Sequence, residues 1–135
     1  MRFVLVPEGG YRPSLVVDVV PDAGDEAVRH AFREALLGYG CSNGILFDAK
    51  ACVLFHDSYT DMSPASIKVD AELGTDVVLA RSGSGSLDAR VERWLTLLTE
   101  RWRDALPEGD DAAPFITDVV PAASGSFVRS LGAER

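Results

Sequence analysis

The stretch from Ser14 to Phe47 constrains this chain more than any other part of it. "SLVVDVV" (14–20) is nearly all apolar and β-branched, the composition of a strand buried in the middle of a sheet. "PDAGDE" breaks that strand, and Val28, Ala31, Phe32, Ala35 and Leu36 then recur at helical spacing as one apolar stripe. Asp25 and Glu26 favour the helix start through the backbone dipole, and Gly38 or Gly40 suits its C-cap, so the helix is expected over about 25–38. "GILF" (44–47) is again a strand. A strand, a crossover helix and a strand imply two parallel strands joined by a right-handed connection. The fold class that follows is α/β, a mixed sheet with flanking helices.

The remaining elements extend this unit. "RFVLV" (2–6) should pair with 14–20 as a hairpin across the turn "PEGGYRP", where Gly9 and Gly10 permit positive φ. "DAK" (48–50) is a tight turn from which "ACVLFH" (51–56) returns against 44–47. "SIKVDAEL" (66–73) alternates apolar and charged residues, as a half-exposed strand does. "DVVLA" (76–80) is read as a short strand and "RSGSGS" (81–86) as a flexible connector. Ser86 caps a second helix over about 87–106, with Val91, Trp94, Leu95, Leu98, Trp102 and Leu106 as its buried stripe. After the acidic linker 107–114, "FITDVV" (115–120) is expected as a final strand, and the tail beyond it has no assigned element. The 135 residues suit one domain, 1–135, with 47% apolar and 25% charged residues supporting a real core.

Charge and cysteine usage narrow the function classes. A net charge of −8 argues against strong sequence-independent DNA binding, which needs phosphates neutralised, while leaving room for a local basic patch. Cys41 and Cys52 flank the second hairpin out of register and read as reduced thiols of a cytoplasmic protein. Neither a CxxC nor a Cys/His cluster is present, no apolar run reaches the length of a membrane span, and "MRFVLVPEGG" is too short for a signal-peptide core. The Ala-, Gly- and Arg-rich composition suggests a bacterial source.

In order, "LVVDVV", "AVRHAFREALLGYG", "CSNGILFD" and "ACVLFHDSY" resemble the PD-(D/E)xK nuclease superfamily, more narrowly the N-terminal nuclease domain of type I restriction-enzyme motor subunits. The resemblance covers about residues 2–59 and implies a restriction-endonuclease-like core. In that family two carboxylates hold a metal and a lysine positions the attacking water. Asp18 falls at the position of the motif acid, and Val20 falls at the motif lysine, where it can neither donate a hydrogen bond nor carry charge. Met1-Arg2-Phe3 stands where the family has its other metal-binding aspartate, and the family's leading helix has no counterpart, so a sheet face or edge should lie open. Displaced substitutes are conceivable in Glu8, Asp22, Asp25, Arg29 and Arg33. Without them Asp18 is expected to pair with an arginine or with a helix N-terminus.

Other chemistry-bearing residues have plainer readings. His30 and His56 read as surface or boundary histidines, and His56-Asp57-Ser58 cannot converge as a triad because consecutive strand residues alternate faces. "RSGSGS" lacks a P-loop lysine. Arg90, Arg93, Arg101 and Arg103 are offset on their helix by Asp88, Glu92, Glu100 and Asp104. Two functions follow. The first is a non-catalytic, restriction-endonuclease-like binding or assembly module, a pseudoenzyme associated with a bacterial DNA-processing or defence system. It would need no cofactor and act as a homo-oligomer or with a protein partner. The alternative is a metal-dependent nuclease with displaced catalytic residues, using Mg²⁺ or Mn²⁺ with Asp18 as its metal ligand and catalytic acid. No membrane association is expected.

Overall fold

The computed structural model describes residues 1–57 and 63–130. Its centre is the predicted unit. Strand β1 (Arg2–Val6) pairs antiparallel with β2 (Leu15–Val19), helix α1 (Glu26–Tyr39) crosses over, and β3 (Asn43–Phe47) lies parallel to β2. Asp25 caps α1 by accepting from the Ala27 N–H, and Gly40, at φ 66°, closes it in the left-handed conformation. β4 (Ala51–Asp57) returns antiparallel to β3, and β5 (Ile67–Gly74) adds beside β4. Ser58 and Tyr59 of the family-like stretch, and 131–135 of the tail, lie outside the described residues.

The second half departs from the sequence reading in several places. Residues 75–78 form not a strand but a helical turn, α2 (Thr75–Val78), which follows directly where β5 ends at Gly74. The loop 81–86 is held rather than free: Arg93, two turns into the next helix, donates to the carbonyls of Ser82 (2.6 Å) and Ser84. Helix α3 (Leu87–Glu100), capped by Ser86 as expected, stops at Arg101 (φ −139°, ψ 60°) and restarts as α4 (Trp102–Ala105). The break turns Trp102 off the stripe, leaving it 45% exposed under the Arg103 guanidinium, whereas Trp94 is buried and donates from Nε1 to the Ala105 carbonyl.

"FITDVV" is not a strand. Phe115–Val119 is a π-helical segment running into the short α5 (Val120–Ala122), and Phe115 and Val119 are buried on its inner side. The last strand comes from the tail instead: β6 (Ser126–Ser130) pairs antiparallel with β1. The sheet order is therefore β5-β4-β3-β2-β1-β6, which makes β1 interior and β5 and β6 the two edges. Gly125 makes this docking possible, since its φ is 115° and a Cβ there would stand 2.2 Å from the Val6 carbonyl oxygen.

The sheet separates two cores. On one side α1 packs Phe32 and Leu36 on Val16, Leu46, Val53, Phe55 and Ile67. On the other, α3 and the 115–123 segment pack on Phe3, Leu5, Leu15, Ile45, Phe47 and Leu54, and Trp94 meets Phe47 and Phe115 edge to face. Cys41 and Cys52 fall in different cores and are both free, and burial pushes both thiols above their ordinary range, which suits unreactive thiols. Among the described residues no helix is long and apolar enough to cross a membrane.

The approach of α1 to the sheet rests on Gly44. A Cβ there would lie 2.6 Å from Phe32 Cε2 and 2.8 Å from Leu36 Cδ1. Phe32→Ala should destabilise the fold by about 3–5 kcal/mol and Gly44→Ala by about 1–3 kcal/mol. Because the added methyl enters the space the ring vacates, the double variant should lose less than the sum of the two in urea denaturation.

Candidate functional site

Asp18 lies on the α1 side of β2, directly across from Arg2 in the β1–β2 register. The pairing is bidentate, with Arg2 Nε 2.7 Å from Oδ1 and Nη2 2.9 Å from Oδ2. Both side chains are largely shielded, at 21% and 13% exposure, and Tyr39 at the end of α1 lies under the guanidinium at 5.9 Å. The hydrogen bond to Asp18 holds the Arg2 guanidinium above even its usual high pKa. An arginine thus stands beside the acid, and its fork takes both carboxylate oxygens. Val20 packs into the α1-side core.

The displaced substitutes are engaged elsewhere. Arg29 donates to the Ala23 carbonyl (2.7 Å) and pairs with Glu72 (2.8 Å). Arg33 pairs with Glu26, donates to the Ile67 carbonyl and lies over the Phe55 ring. Asp22 accepts from the Gly24 N–H, Asp25 caps α1, and Glu8 lies in the β1–β2 turn. Asp48, at the β3–β4 turn, is buried. Burial works to raise its pKa, but hydrogen bonds from the backbone N–H groups of Ala51, Ala23 and Lys50 outweigh it and hold the carboxyl low. Among the described residues no three His, Cys, Asp or Glu side chains are arranged to hold a metal ion. Both Asp18 oxygens are taken by the Arg2 guanidinium.

Compared with protein-family models, with curated proteins and with solved structures, the chain has no match.

A second polar cluster lies on the opposite face, at the end of the sheet where β4 finishes. Asn43 of β3 and His56 of β4 are cross-strand partners, 3.0 Å apart between Oδ1 and Nδ1. If the amide oxygen accepts, Nδ1 carries the proton and Nε2 is left as the ring acceptor. A β-bulge between β4 and β5 falls at Asp70. It lets Ile67 and Val69 serve the α1-side core while Ala71 and Leu73 serve the other. Asp70 comes within hydrogen-bonding reach of Asp118 on the π-helical segment, and this raises the Asp118 pKa, with burial and Asp70's charge adding to the effect and His56 opposing it. The adjoining cleft, about 380 Å³, is lined by Asn43, His56, Thr117, Asp118 and the 13–14 turn. The arrangement can hold one proton between two carboxylates beside an oriented imidazole.

The Asn43–His56 pair depends on the hairpin register: a three-residue "DAK" turn would set residue 43 opposite Phe55, whereas the chain pairs Phe47 with Cys52 and so brings Asn43 opposite His56. The Asp70–Asp118 pair was not readable in advance, because it needs both the bulge and a helix where the sequence suggests a strand.

Two predictions follow. Arg2→Ala leaves a shielded carboxylate unpaired and should cost about 1–3 kcal/mol, most of it recovered by adding Asp18→Asn. For Asp118 the folded-state pKa is the raised one, so its contribution is complete below the ordinary aspartate value of about 3.9 and is lost as pH rises through the folded value. Asp118→Asn, which can donate to Asp70 at any pH, should match wild type in melting temperature at acid pH and exceed it once Asp118 has ionised.

Proposed function

We propose that this chain is a non-catalytic binding or assembly module on a restriction-endonuclease-like core, a bacterial pseudoenzyme that works by pairing with itself or with another protein. The observation that carries this reading is the Arg2–Asp18 pair, in which the motif acid is bound at both oxygens by a guanidinium. A divalent cation at Asp18 would have to displace that guanidinium and find further ligands. Val20 offers neither a proton donor nor a charge for the attacking water. The order hairpin, crossover helix, parallel strand and return strand supports the core assignment. The partly open sheet beyond α1 supports a role in assembly.

The test is a titration of Mg²⁺ and Mn²⁺ followed by melting temperature, with plasmid and single-stranded DNA cleavage assayed in parallel. The wild type, Asp18→Ala and Arg2→Ala should show no cleavage and no metal-induced stabilisation that depends on Asp18. Selective stabilisation or cleavage by the wild type that disappears in Asp18→Ala would overturn the reading in favour of a metal-dependent nuclease.

A further inference from the structure

We propose that β6 is a self-pairing edge: a second copy of this chain adds its own β6 antiparallel about a two-fold axis at Val128, joining the two six-stranded sheets into one. This rests on the assembly reading and names its partner and surface. The backbone geometry comes first. Met1 and Val19 exchange both main-chain hydrogen bonds, the Met1 amine donating at 3.2 Å and the Val19 N–H at 2.8 Å. Antiparallel ladders alternate, so Arg2, Val4 and Val6 direct their N–H and C=O groups to β6, where their partners are Ser130, Val128 and Ser126. The N–H and C=O groups of Phe127 and Arg129 therefore face outward, with no strand beyond them among the described residues.

The two edges of the sheet are guarded differently. On β5 the Arg33 Nε donates to the Ile67 carbonyl at 3.1 Å, and Lys68, Asp70 and Glu72 put exposed charges along the strand. Such charges oppose pairing with another chain. β6 has one charged residue, Arg129, and Glu92 of α3 holds it at 2.6 Å. On the other face of β6, Val128 is 62% exposed. Its neighbours Val4 and Val6 are only partly buried, because the α1-side core draws on β2 to β5 and on neither β1 nor β6.

A two-fold axis at Val128 uses all of these features. Phe127 of one copy stands opposite Arg129 of the other, and the outward N–H and C=O groups of both make four hydrogen bonds across the axis. Each Arg129 guanidinium, neutralised by its own Glu92, lies beside the Phe127 ring of the other copy. The two Val128 side chains form the close, non-hydrogen-bonded pair at the centre. Five residues of strand bury less than the roughly 1,600 Å² of an ordinary interface, so the dimer should be weak and concentration-dependent.

Sedimentation of the wild type from micromolar to submillimolar concentration should show the 14.5 kDa monomer converting to a dimer. Val128→Lys places two like charges at the axis and should weaken dimerisation at least about tenfold, with an unchanged circular dichroism spectrum. Val128→Cys, treated with oxidised glutathione, should give a disulfide-linked dimer. The wild type, whose two cysteines are buried, and Tyr11→Cys, exposed on the hairpin turn, should not. A wild type that stays monomeric throughout overturns the proposal. So does a dimer that persists in Val128→Lys and is not cross-linked by Val128→Cys. That second result would leave the assembly reading standing, whereas metal-dependent cleavage would remove that reading whatever the oligomeric state.

Discussion

The parallel pairing of β2 with β3 is the constraint on which the rest of the structure depends. Parallel neighbours cannot be joined by a turn, so the chain between them must cross a face of the sheet, and α1 is that crossing. Its closeness to the sheet is set at Gly44, where the Phe32 ring occupies the space a side chain would take. Once α1 covers one face, the opposite face must be covered by the second half of the chain. This accounts for α3 and the 115–123 segment lying together on that side.

Local pattern was a good guide where it was strong and complete. Helix α1, the Ser86 cap and the hairpin around "DAK" depend on neighbours in sequence and all formed, although of the α1 stripe only Phe32 and Leu36 are fully buried and Ala31 is exposed. "FITDVV" shows the limit. Its β-branched residues suit a strand, but Phe115 and Val119 lie four apart and can also share one side of a helical segment, and burial against Trp94 favours the helical choice. "SFVRS" is only five residues long and has no apolar/polar alternation to mark it as a strand. Its pairing with β1 depends on Gly125 approaching Val6 closely, which no local rule encodes.

The site at Asp18 was legible in part. The sequence leaves Asp18 a choice between an arginine and a helix N-terminus as partner, and it does not single out Arg2, which enters only as part of the segment where an aspartate is missing. The β1–β2 hairpin register was the signal that could have identified it, since it sets residue 2 against residue 18. A guanidinium opposite a carboxylate on neighbouring strands, partly shielded by Tyr39, makes a structural ion pair from a position that the resemblance marks as catalytic.

The bulge at Asp70 shows how one strand can serve two cores. Strict alternation would put Ile67, Val69, Ala71 and Leu73 on a single face and leave the α3 side of the edge without apolar cover. One extra residue shifts the phase, so that the first pair packs under α1 and the second under α3. The same shift carries the Asp70 carboxyl to Asp118. The fold therefore sets two acids side by side at the end of the sheet in return for apolar cover on both of its faces, and the cost shows in the raised pKa of Asp118.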